Sequence, residues 1–85
     1  MDKANPYLRR GILEAIRNQI RDEDAPETKE TFDRLRSEGY STSETYRLIG
    51  YVFTTEMFEI MKENRVFDRA LYAKRLKALP ALPGE

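Results

Sequence analysis

The chain has 85 residues, enough for one domain and one core. It contains neither cysteine nor histidine, which excludes disulfides, thiol nucleophiles and Cys- or His-based metal sites, and removes the side chain best suited to moving protons near neutral pH. Fifteen basic residues balance fifteen acidic ones, so no overall field gathers nucleic acid or an anionic membrane around the molecule.

Asn5-Pro6 is a helix start: asparagine caps well, and proline at the first helical position gives up an N–H that has no partner there. The first helix is expected from Pro6 to Arg21, with Leu8, Ile12, Leu13, Ile16 and Ile20 on one face and Arg10, Glu14, Arg17 and Arg21 on the other. Arg9 and Gln19 fall among the apolar residues. Asp22-Glu23-Asp24 reads as a connection, because an acidic run suits the positive start of a following helix better than the negative end of a preceding one.

Pro26 restarts a helix in which Phe32 and Leu35 are almost the only large apolar residues, so the pattern predicts a wet helix packed by a narrow edge. Glu30 with Arg34, and Asp33 with Arg36, are spaced to pair on its surface. Gly39 is the expected left-handed stop, and Tyr40 the residue that folds back on the helix end.

Ser41 to Glu63 is the longest helical pattern, and the rest of the chain is expected to cover it. Ser41 and Glu44 have capping-box spacing, and Tyr46, Ile49, Val52, Phe53, Met57, Ile60 and Met61 recur at steps of three and four. Glu56 falls near the middle of that apolar arc. A carboxylate there and Arg9 on the apolar face of the first helix predict a buried Arg9–Glu56 ion pair, since an unpaired buried charge would be costly. Tyr51 and Phe58 point the other way, where a lone chain should be polar, and form a candidate interaction surface.

Asn64-Arg65-Val66 breaks the pattern. Phe67, Asp68 and Tyr72 read as a hydrophobic staple around an aspartate cap, opening a short fourth helix with Leu71, Leu76 and Leu79 that Pro80 and Pro83 end. Residues 1–4 and 80–85 are expected to be loose termini. Arg65, Arg69, Lys74, Arg75 and Lys77 form a basic cluster that reads as a solvated face. No apolar series alternates, so the fold class is all-α: a single four-helix, antiparallel, bundle-like domain with a long third helix and a short fourth. A polar opening and the lack of a long apolar run predict a cytoplasmic protein without a membrane span.

Three functional classes remain. The first is association, as a homodimer or with another protein through Tyr51 and Phe58. The second is a carboxylate-centred enzyme or cation site around Glu56 and Arg9; the dinuclear carboxylate bundles need Glu-x-x-His, however, and Glu56 and Glu59 have no histidine to go with them. The third is a helix-turn-helix-like nucleic-acid reader at the Gly39–Gly50 joint, which the glutamates of the following helix disfavour. No phosphate loop or nucleophile elbow is present, and no catalytic, cofactor-binding or metal-ligating residue is assigned; the balance is against an enzyme.

Asn5-Pro6-x-Leu8, Gln19, the Gly39 turn, Gly50 and the run around Glu56 together resemble a domain-of-unknown-function family of short bacterial helical proteins, over about residues 5–77. The resemblance implies a first helix packed on the third. It also implies histidines at the positions occupied here by Arg9, Leu13, Ser43 and Arg47, so any activity resting on those histidines does not carry over to this chain.

Overall fold

The computed structural model describes residues 6–21 and 26–83. Four helices follow one another: α1 (Pro6–Arg21), α2 (Pro26–Ser37), α3 (Thr42–Glu63) and α4 (Arg69–Ala78). The Asn5 cap, the Asp22-Glu23-Asp24 connection and residues 1–4 lie outside the described residues.

Local chemistry sets the boundaries. The end of α2 is a Schellman turn: Gly39 has φ of 103°, Tyr40 N–H donates to Leu35 O at 3.1 Å, and Gly39 N–H donates to Arg36 O at 3.1 Å. Immediately after it the Ser41 hydroxyl accepts from Glu44 N–H at 3.0 Å while the Glu44 carboxylate accepts from Ser41 N–H at 2.9 Å, so one helix stops and the next starts within four residues. Those hydrogen bonds to Ser41 hold the Glu44 carboxyl below its ordinary pKa. Asn64 ends α3 in the left-handed conformation, at φ 51° and ψ 49°. Asp68 then caps α4 by accepting from Leu71 N–H at 3.0 Å, and the Phe67 and Tyr72 rings meet at 5.5 Å across the cap as the staple requires.

Ile16, Leu35, Ile49, Val52, Tyr72, Leu76 and Leu79 make the core, drawn from all four helices and the residue after α4. As expected, α3 contacts each of the other helices, but so does α2. The narrow-edge expectation for α2 is corrected here. Thr28 and Thr31 are buried beside Leu35, so α2 packs by a broader face than its few oily residues suggest. The surface pairing on α2 also differs from expectation: Lys29 meets Asp33 at 2.8 Å and Arg34 meets Glu38 at 3.1 Å. The second Arg34 nitrogen donates to Leu76 O at 3.1 Å, reaching across to the end of α4.

Gln19 accounts for one of the two polar residues on the apolar side of α1. Its Oε1 accepts from the Thr28 hydroxyl at 2.8 Å and the Tyr72 hydroxyl at 3.0 Å, tying α1, α2 and α4 into one knot. Burial raises the Tyr72 pKa. Two further expectations are revised. Met61, at the edge of the projected arc, is 80% exposed, and Leu82 folds back against the core, so the chain does not come loose at Pro80.

Candidate functional site

The side of α3 facing α4 carries a charged clamp. Glu56 is 0% exposed. Its carboxylate accepts from Arg65 Nη1 at 2.9 Å, Arg65 Nη2 at 3.2 Å, Arg75 Nη1 at 3.4 Å and the Asp68 backbone N–H at 3.3 Å. Arg75 also donates to Glu59 at 2.9 Å and 3.2 Å, and Arg65 to Glu59 and Glu63, both at 3.1 Å. Arg75 and then Arg65 hold the Glu59 carboxyl below the usual range, and the carboxylates hold the Arg65 guanidinium yet more firmly protonated.

Glu56 is therefore buried and ion-paired, as its place in the arc requires, but its partners are Arg65 and Arg75, not Arg9. The reason is how α1 crosses α3. A Cβ on Gly50 would meet Ile16 Cδ1 at 3.7 Å and Ile12 Cγ2 at 3.8 Å, so α1 rests on the first half of α3, while α4 packs beside the second. The basic cluster read as a solvated face is divided: Arg65 and Arg75 turn inward, Arg69 pairs with Glu27 at 2.9 Å, and Lys74 and Lys77 face solvent. Arg69 in turn lowers the Glu27 pKa. With both oxygens of Glu56 engaged, this cluster has the chemistry of a fastening.

The other side of α3 is open. A groove of about 640 Å³ runs between α1 and α3, floored by Ile12, Leu13 and Gly50, walled by Tyr46 and Tyr51, and edged by Arg9, Arg17 and Arg47. The Arg17 guanidinium lies 5.9 Å from the Tyr46 ring centre. Since Ile12 and Ile16 straddle Gly50 while Arg17 reaches Tyr46, α1 runs antiparallel to α3 along this groove. Arg9 is thus exposed at one end and Arg17 at the other. No carboxylate lines the groove, and among the described residues none pairs directly with Arg9 or Arg47, although the Glu44 carboxylate one turn before Arg47 is near enough to feel its charge. A net charge of zero conceals this unbalanced patch.

Tyr51, 47% exposed, is shared between the groove wall and a strip that continues along α3 through Phe58, 63% exposed, to Met61. The spacing found Tyr51 and Phe58 because two turns of helix return to one face. It missed Arg17 and Arg47, whose signal is their place on two helices that close on each other. Arg9, Leu13, Ser43 and Arg47 all line the groove. Among the described residues no group of three or more acidic side chains could hold a metal ion, and no helix is long and apolar enough to cross a membrane.

No family model, curated protein or solved structure aligns with the chain.

Proposed function

We propose that this protein works by association, docking a partner over the groove between α1 and α3 and the adjoining strip of Tyr51 and Phe58. The observation that carries the reading is the exposure of two large aromatics on one face of a helix whose opposite face already fills the core. A groove with an apolar floor beside them is the kind of surface that accepts a helix. The same face disfavours a symmetric dimer, because two copies meeting there would set Arg9, Arg17 and Arg47 near their own equivalents without an acidic counterpart. Catalysis by Glu56 is disfavoured by its complete burial and its four donors.

Site-specific photo-crosslinking in the native host tests this. A crosslinker at position 58 is expected to trap one discrete product, and the same group at Lys74 on the far flank none. Equal labelling from both positions, with the purified chain remaining monomeric, would remove the proposal.

A further inference from the structure

Resting on the association reading, we infer that the partner presents an acidic amphipathic helix, with aliphatic or aromatic anchors toward Ile12, Leu13 and Gly50 and carboxylates toward Arg9, Arg17 and Arg47. The three guanidiniums edge one apolar trough without a carboxylate among its lining residues. Elsewhere Arg34, Arg65, Arg69 and Arg75 are each answered by a glutamate within 3.1 Å and Arg36 by the Tyr40 carbonyl at 2.7 Å, while Arg10, outside the groove, has no carboxylate within ion-pair distance among the described residues. What sets Arg9, Arg17 and Arg47 apart is that they edge one apolar trough. Glu44 offsets part of the Arg47 charge from outside the lining, but Arg9 and Arg17 have no such neighbour within ion-pair distance among the described residues. Charge complementarity therefore asks for acid from the partner, and the floor asks for apolar side chains on the same element.

The dimensions suit a short helix. From Arg9 to Arg17 α1 rises about 12 Å, and from Ser43 to Thr54 α3 rises about 16 Å, which spans two to three turns of a docked helix. Arginine is also the cation suited to this task, since its planar fork grips a carboxylate with two parallel bonds. A small anion fits less well. The cations stand exposed at the rim, and the apolar strip runs past the groove toward Phe58 and Met61, so the surface is longer than such a ligand.

The probe is a synthetic helix of about twelve residues, glutamate-rich, with Leu and Phe at i, i+3 and i+7. Its binding to the full chain is followed by fluorescence anisotropy. Saturable binding is expected, weakening as salt rises from about 50 to 500 mM. Arg9→Glu with Arg47→Glu should weaken it at least about tenfold, and Lys74→Glu with Lys77→Glu should leave it unchanged. Both pairs are exposed, so circular dichroism melting should find the variants folded. Equally tight binding by plain polyglutamate or duplex DNA, or indifference to the groove charge reversals, would overturn the inference. If the peptide fails to bind while crosslinks at position 58 persist, the partner's chemistry has been misassigned and association stands; if both fail, association falls as well.

Discussion

Replacing Glu56 by glutamine removes one charge and leaves the shape almost intact, so the change isolates the electrostatic part of the α3–α4 junction. The amide keeps one acceptor oxygen but turns N–H donors toward the guanidiniums of Arg65 and Arg75. Breaking a buried pair by removing one partner costs about 3–5 kcal/mol. Arg65 and Arg75 keep 24% and 21% exposure and retain Glu59, so the lower end applies, about 3 kcal/mol. For a domain of this size that is a fall in Tm of roughly 12–24 °C. Thermal and urea unfolding followed by far-UV circular dichroism will read it. Glu59→Gln, at a half-exposed position in the same network, should lower the midpoint less than half as far. Coincident midpoints for the two variants would refute the assignment of Glu56 as the centre of the clamp.

Thr45→Val should raise stability by about 1 kcal/mol, because the buried Thr45 hydroxyl has no hydrogen-bond partner among the described residues; an unchanged or lower urea midpoint would mean that the hydroxyl is satisfied. Gly50→Ala should stabilise by about 0.5–1 kcal/mol, since the added methyl meets Ile12 and Ile16 at ordinary contact distance and spares a glycine within a helix; calorimetry decides the sign. Tyr51→Ser with Phe58→Ser should change stability by less than about 0.5 kcal/mol per site while abolishing capture by a crosslinker placed instead at neighbouring Thr54, which in the unsubstituted chain should trap the same product as position 58; this separates a docking role from a packing one. Stability against pH should be flat from about 6 to 9, as no histidine or cysteine titrates there. It should fall as acid takes the pH below 4.5, where Glu27, Glu44 and Glu59, with folded pKa values below that value, lose their bonds on protonation. It should fall again above pH 10.0, where the unfolded chain releases the Tyr72 proton more readily than the fold does.

What could be read from the residue order was what local chemistry decides. Ser41 with Glu44, Gly39 with Tyr40, and Phe67-Asp68 with Tyr72 each form a boundary from groups a few residues apart, and helix periodicity was enough to place Glu56 inside and Tyr51 and Phe58 outside. What escaped depends on how helices cross. Arg9, Arg65 and Arg75 have equal claim to Glu56 until the path of the turn after α3 and the stations of α1 and α4 along that helix are known, and nothing in the order of the residues states them. Thr28 and Thr31 count as polar by composition yet are buried, and for Thr28 the hydroxyl is satisfied by Gln19 on another helix, a partner that local spacing does not reveal. Met61 lay on the border between the two faces, and the side it took was settled by where covering from the neighbouring helices runs out.

Because α1 and α4 rest on different stretches of α3, the charges at the rim of the trough and those of the fastening form separate clusters, even though Gln19 and Tyr72 join the two helices in the interior. Arg9, Arg17 and Arg47 stand at solvent and share no hydrogen bond with Glu56, Arg65 or Arg75 among the described residues. Exchanges of these rim arginines can therefore accumulate without loosening the fastening at the other end, whereas Ile12 and Tyr46 beneath them pack against the core and are held by it. This gives the chain a charge pattern free to diverge on a frame that stays put.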